Sequence, residues 1–445
     1  MKPQRAENFA ISRLEDIADE TRPYVVKRSI ESCTVAAVGG EWRDQLSRRG
    51  HGFAGDERNV LIALRSAPEL AGLVRYNEFS LDVEVTRAPP WRKCLPRTAW
   101  IDADDTAIAI WLQQHDIQVR GRPVVADTVL LAARDNSFHP VRNYLTSVKW
   151  DGEERLKNWL RCFLSATDQK DDYLRAIGTR FLVSAVARIF QPGCQVDHIL
   201  VLEGSQGVGK TSAARALAVC PEWFAGNLPD IHNKDAALQL CGRWVVEIDE
   251  LKAIRHSQVE AIKSFLSETV DTFRPPYARR TGQFPRQCVF VATTNESQYL
   301  QDRTGNRRYW PVRCGKIDVE ALVTIRDQLW AEATILYRNG TAWHLTDVEA
   351  TLASNEQQER VRVTELETDV GRYLDRLLNM GVRDTSVRDV LIHGLHLDPD
   401  HSSYTEVARR NGSAVADAME QAGWKKVGRQ GQQRHTIYRF EKSAG

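Results

Sequence analysis

The sequence predicts an α/β protein in four parts. A mixed α/β region spans residues 1–140, a helical collar 141–198, a core with a parallel sheet covered by helices 199–345, and a helical linker with a small terminal module 346–445. Three observations carry this reading. Apolar strand-like runs alternate with helical segments from Ile199 onward, the pattern that parallel strands need for their crossovers. Glycines recur between a strand and a helix, from Gly204 to Gly209. Ahead of them Leu156, Trp159, Leu160 and Phe163 fall on one helical face, and Tyr173 to Phe190 continues in kind.

Composition narrows the class. A chain of 445 residues exceeds one core, and at about 100–200 residues per domain it holds two to four. Lys plus Arg (60) nearly balance Asp plus Glu (59), a net charge of +1, so any surface for nucleic acid must be local. The eight cysteines lie far apart without a Cys-x-x-Cys pair, which argues against a zinc site and a secreted disulfide framework. They read as reduced, mostly buried thiols. The amino terminus lacks a signal-type apolar core and no run of about 18 apolar residues occurs, so a cytoplasmic protein is expected.

In the first region Pro89-Pro90-Trp91 reads as a loop. Asp82 and Glu84 alternate along a strand-like run, Leu81 to Val85. Such a pair holds metal in a primase-polymerase, but a solvent-facing strand edge gives the same alternation and is favoured.

The chemistry concentrates further on. Ile199-Leu-Val-Leu-Glu203 reads as a buried strand that runs into Gly204-Ser205-Gln206-Gly207-Val208-Gly209-Lys210-Thr211, followed by a helix opening with Ser212. Strand, glycine-rich loop and helix in this order make a phosphate-binding P-loop. Its glycines let backbone amides close on phosphate oxygens, and the helix dipole favours the anion. Lys210 is assigned to the β- and γ-phosphates of ATP and the Thr211 hydroxyl to Mg²⁺.

A second buried strand, Trp244-Val-Val-Glu247-Ile-Asp249-Glu250, ends in acids. Asp249 is the candidate for the metal and Glu250 for polarising the attacking water. Glu247 points to the same side as Asp249 and shares or replaces its role. After a third strand, Cys288 to Ala292, Asn295 is placed to orient the lytic water, although a lone Asn after a strand is also an ordinary turn residue.

These residues sit among strings that identify a relationship. They are Phe138-His-Pro-Val-Arg-Asn-Tyr-Leu145, Trp150-Asp-Gly152, Pro192-Gly-Cys-Gln-Val-Asp197, Phe273-Arg-Pro-Pro-Tyr277 and Asp302-Arg-Thr-Gly-Asn-Arg307-Arg308-Tyr-Trp-Pro311. With them the chain resembles the virulence-associated E family, which is similar to superfamily 3 helicases among the AAA+ ATPases. The likeness covers about two-fifths of the sequence. It implies a homo-oligomeric ring, a hexamer, with ATP between subunits and single-stranded DNA in the channel. Arg307 or Arg308 would then reach the neighbour's ATP as an arginine finger. The segment 263–286 corresponds to a DNA-gripping hairpin, with Lys263, Arg274, Arg279 and Arg280 tracking phosphates and Tyr277 stacking on a base.

In the terminal module a helix from Ser413 to Gln421 ends at Gly423, and a basic hairpin follows, which resembles a winged helix. Duplex DNA and a protein surface are both open as its partner. His393, His396 and His401 with Asp398 and Asp400 lack the spacing of convergent ligands and read as a solvated loop. The function expected is an ATP- and Mg²⁺-dependent DNA helicase or translocase in replication of a phage or mobile element. The alternatives are a nucleotide-gated DNA-binding protein that does not unwind and, more remotely, a primase-polymerase-linked motor.

Overall fold

The computed structural model describes residues 42–226, 236–248, 256–275, 280–300, 305–361, 365–401, 404–430 and 435–440. The chain divides into two units, Met1–Arg360 and Val361–Gly445. No helix among the described residues is long and apolar enough to cross a membrane.

The first unit begins with a small α/β region. Strands β1 (Arg48–Arg49), β2 (Gly52–Gly55) and β5 (Ile117–Val119) form one sheet, and β3 (Val74–Asn77) pairs antiparallel with β4 (Asp82–Val85). Helices α1 (Glu57–Ser66), α2 (Asp102–Gln114) and α3 (Arg122–Arg134) accompany them. The Asp56 side chain starts α1 by accepting from the Asn59 amide. Val60, Leu64, Leu70, Ile108, Leu112 and Val129 close a core of its own. The Pro89-Pro90-Trp91 segment is a loop, held because Trp91 Nε1 and Arg92 Nε each donate to Asp104 at 2.8 Å.

The collar consists of α4 (Pro140–Ser147), α5 (Trp159–Leu164) and α6 (Asp171–Phe190). Leu156, Trp159 and Leu160 are buried, and Phe163 packs against them half-covered. Helix α6 is apolar on nearly every side because it runs through the interior, sharing one continuous core with the sheet that follows.

That sheet has five parallel strands in the order β12 (Tyr309–Arg313), β6 (Ile199–Glu203), β11 (Val289–Thr294), β8 (Val245–Ile248), β7 (Phe224–Ala225). Its central strands are buried along their whole length, as expected for parallel strands covered on both faces. Helices α7 (Lys210–Leu217), α8 (Ala236–Gln239), α9 (His256–Ser267) and α10 (Val319–Arg338) lie between or after these strands. An antiparallel hairpin of β9 (Val270–Phe273) and β10 (Gly282–Pro285) is inserted before β11.

Helix α11 (Asp347–Glu359) stays with the first unit, where Gln357 Nε2 donates to the Tyr309 carbonyl at 2.8 Å and Arg180 grips Glu349. Of its charged residues, Glu349 is taken up by Arg180, and Glu356 accepts from Gln169 Nε2 and Arg360 Nη1 at 2.7 Å each.

The second unit holds α12 (Glu365–Asn379), β13 (Asp384–Ser386), α13 (Val387–Asp389), α14 (Tyr404–Gln421), β14 (Trp424–Gln430) and β15 (His435–Phe440). The strands make an antiparallel sheet in the order β13-β15-β14. Val370, Leu374, Leu391, Val415, Met419 and Trp424 form its core. The helix expected from Ser413 begins earlier, at Tyr404, and turns into the hairpin at Gly423, whose φ of 84° suits glycine.

Among the described cysteines, Cys194, Cys220, Cys288 and Cys314 are buried, Cys94 and Cys241 are half-buried, and Cys162 is exposed. Burial pushes the Cys241 and Cys314 thiols up to about 12, which makes them poor nucleophiles.

Candidate functional site

The glycine-rich loop leaves β6 at the carboxyl edge of the parallel sheet, between its neighbours β11 and β12, where open α/β sheets bind ligands. Gly204, Gly207 and Gly209 take φ values of 147°, 83° and 102°, a region that side chains resist. At Gly204 the need is doubled, since an added Cβ would come within 2.8 Å of the Cys314 carbonyl oxygen. Val208 holds the loop from the other side by accepting from the Ile317 amide at 3.1 Å.

The loop and the start of α7 form one wall of a cleft of ≈ 600 Å³, from Gln206 to Ser212, and Thr293, Thr294, Asn295 and Glu296 at the end of β11 form the other. Lys210 sits between them. Its ammonium donates to the Gly204 and Ser205 carbonyls at 2.7 and 2.9 Å and to Asn295 Oδ1 at 2.8 Å. Thr211 Oγ1 donates to Glu247 Oε1 at 2.7 Å, and Thr293 Oγ1 reaches the same oxygen at 3.1 Å. Glu247 is only 2% exposed, on the strand next to β11. The arrangement offers backbone amides at a helix start, a lysine, an amide and a carboxylate with hydroxyls, which together suit a phosphate chain and a hard cation.

Of the sequence candidates, the structure thus brings together Lys210, Thr211, Glu247 and Asn295. Asp249 and Glu250 lie outside the described residues, so the acid whose place is visible is Glu247. Thr293 and Glu296 line the cleft without having been singled out; a hydroxyl or a carboxylate flanking a strand end is too common a pattern to signal it.

The two arginines after Gly305 differ. Arg308 turns inward, donating to Ser267 Oγ at 3.1 and 3.0 Å and facing Asp197 at 3.9 Å. Arg307 is exposed.

In the expected hairpin the pairing of Phe273 with Gly282 is present, and the Phe273 and Phe284 rings stack at 4.3 Å. Arg274 and Arg280 are exposed at its open end, while Tyr277 and Arg279 lie outside the described residues. Lys263 departs from the expectation of an open phosphate contact: it is 6% exposed, with its ammonium end packed beside Gly305. Helix α9 turns that face inward, with Ile262, Phe265 and Leu266 of the same helix also buried. Arg286, in the same segment, is no surface cation either: it is buried and bound to Asp271 at 2.5 Å and to Glu268 at 3.1 Å.

The other acid pair is differently placed. Glu84 is taken by Arg75 at 2.9 Å and by Asn77 at 2.6 Å, and Asp82 is exposed beside it. Among the described residues no group of three or more His, Cys, Asp or Glu is arranged to hold a metal.

Residues 145–362 match the family described as virulence-associated protein E-like domain. No curated protein matches the chain. Among solved structures, the apo structure of the NrS-1 C-terminal region (305-718) is 11% identical, covering 83% of this chain and 96% of that one with a TM-score of 0.41. A second apo structure of that region, in its A form, is 10% identical over the same shares with a TM-score of 0.43. Scores this low do not establish a shared fold.

Proposed function

Taking residues 145–362 as a virulence-associated protein E-like domain, we propose that this chain binds ATP with Mg²⁺ in the glycine-rich cleft and hydrolyses it as a ring-forming DNA helicase or translocase, in replication of a phage or mobile element. The observation that carries this reading is the meeting of Lys210, Thr211, Glu247 and Asn295 at one cleft. On this reading the core is a P-loop fold, AAA+-like and similar to superfamily 3 helicases.

The roles follow from the contacts. Amides from Gly204 to Thr211 wrap the phosphates at the positive end of α7. Lys210 exchanges the Gly204 and Ser205 carbonyls for β- and γ-phosphate oxygens, which are better partners for an ammonium. The Thr211 and Glu247 oxygens are hard donors 2.7 Å apart and fit Mg²⁺, with Asp249 the further candidate. When bound, the ion neutralises charge on the phosphates. Asn295 orients the attacking water and Glu250 polarises it. Arg307, open to solvent, is the finger presented to a neighbour in a hexamer, and Arg308 supports the turn that carries it. Arg274 and Arg280, with Tyr277 and Arg279, hold single-stranded DNA. The order of helix and hairpin in the second unit supports a winged-helix-like module for duplex DNA or a protein partner.

The test is ATP turnover and strand displacement by the full chain. DNA-stimulated hydrolysis that Lys210→Ala abolishes, with displacement on a forked substrate, is the expected result. Hydrolysis without displacement on forks of either polarity favours the nucleotide-gated alternative. No hydrolysis with any nucleic acid refutes the proposal.

A further inference from the structure

Asn295 is held by more than the strand it follows. Thr294, the last residue of β11, lies in register with Glu203 of β6, and the Gly204 amide donates to the Thr294 carbonyl at 3.2 Å. A short way past Asn295 the chain returns to the same residue: the Tyr299 hydroxyl donates to Glu203 Oε1 at 2.8 Å. The connection that bears Asn295 therefore starts and finishes on Glu203.

Glu203 is itself fixed. Arg360, 1% exposed, grips both of its oxygens, Nε to Oε1 at 2.8 Å and Nη2 to Oε2 at 3.1 Å. The Arg360 carbonyl accepts from the Tyr299 and Leu300 amides at 3.1 and 3.0 Å, and its remaining nitrogen donates to Glu356 at 2.7 Å. A buried carboxylate and guanidinium in two-pronged contact are costly to separate, because each would be left charged without a partner. The cluster is thus a rigid base directly before the glycine-rich loop.

We propose that Glu203, Tyr299 and Arg360 are positioning residues for Asn295, setting where its amide stands relative to Lys210 and the terminal phosphate. The inference rests on the cleft being an ATPase site. Precise placement matters there because a misplacement of about 1 Å at a reacting centre costs on the order of 10²-fold in rate.

Tyr299→Phe removes the hydroxyl and leaves the ring and the Glu203–Arg360 pair in place. Its kcat is expected to fall roughly tenfold while KM for ATP moves less than about twofold, since placement of the water-orienting group is lost and not phosphate binding. Melting should fall by only a few degrees, the scale of one lost hydrogen bond, with the chain still folded at the assay temperature. Combined with Asn295→Ala, it should slow turnover no further than Asn295→Ala alone, because both act through one group. A purely structural role would instead add its loss to that of Asn295→Ala. Arg360→Met strands Glu203 and is expected to unfold the chain, so Tyr299→Phe carries the test. A wild-type chain that hydrolyses ATP beside a Tyr299→Phe chain with unchanged kcat, or with a loss that multiplies with Asn295→Ala, overturns this inference alone. A wild-type chain without ATP binding or hydrolysis overturns the reading of the cleft, and the inference with it.

Discussion

Strand β4 carries Asp82 and Glu84, and β8 carries Glu247 and leads to Asp249, so the two share one alternating pattern of acids. Their surroundings differ. In the β3–β4 hairpin Arg75 stands directly across from Glu84 and binds it, so that carboxylate already has its cation. Glu247 lies buried within a parallel sheet, with the hydroxyls of Thr211 and Thr293, which line the cleft, both on its Oε1. The arginines after Gly305 repeat the contrast, Arg308 being engaged inside the chain and Arg307 open. Residue type and spacing propose a site, and what stands across from the residue decides it. An acid opposite a guanidinium stabilises a hairpin, whereas one beside a threonine at a helix start is available to a ligand.

The largest effect expected along this contrast is at the arginines. Arg307→Ala should lower turnover by about 10³-fold or more if the side chain acts on the neighbour's ATP. Mixing it with Lys210→Ala protein should restore part of the rate. Arg308→Ala should cost about 1 kcal/mol of stability through its lost hydrogen bonds and far less in rate. Equal rate losses for the two would break the distinction. At the acids, Glu247→Gln should reduce hydrolysis roughly 10²-fold or more, the scale of losing one charged group at a phosphoryl site, whereas Glu84→Gln should leave it within about twofold. Steady-state kinetics of the four variants decides both comparisons.

A smaller effect concerns the hairpin. Arg274→Ala and Arg280→Ala should each flatten the salt dependence of single-stranded DNA binding, by about 0.7 in the slope of log K against log salt. A titration across salt concentrations in which neither slope changes would remove those residues from the DNA path.

The smallest effect is one of pH. His198 is fully buried, stacked on Trp310 at 3.7 Å and bonded to Ser184 at 3.0 Å. Burial, with His344 and Arg188 nearby, holds its pKa well below the usual 6.5. The folded ring stays neutral where the unfolded one gains a proton, so stability is fully present above pH 6.5 and falls below it. The slope is at most about 1.4 kcal/mol per pH unit. Thermal melts between neutral and mildly acidic pH, compared with His198→Phe, should show this slope shrinking in the variant, and an unchanged slope would exclude His198 as its source.

Much of the cleft was legible because its parts are local. A glycine loop must be contiguous, its lysine and threonine must follow at once, and a buried strand announces itself by an unbroken apolar run. The collar was legible in part: Trp159, Leu160 and Phe163 lie on one short helix, whereas Leu156, equally buried, sits in the turn before it, which an apolar spacing alone does not distinguish. What escaped depends on partners far apart in sequence. Glu203 meets Tyr299 across 96 residues and Arg360 across 157, and no spacing rule connects them. The placement of α11 in the first unit rests on bonds such as Gln357 to Tyr309, which a charged, helical sequence does not reveal. The burial of Lys263 is hidden for the same reason: a lysine near a basic loop reads as solvent-facing until the orientation of its helix is known. The inward use of Arg286 hides in the sequence too, as one more basic residue.

The most direct measurement is equilibrium binding of labelled ATP, with magnesium, to the purified full-length chain and to its Lys210→Ala variant. The account predicts saturable binding by the wild type and its loss, or severe weakening, in the variant. Wild-type chain that takes up no nucleotide, or variant that binds it equally well, would contradict the assignment of the glycine-rich cleft.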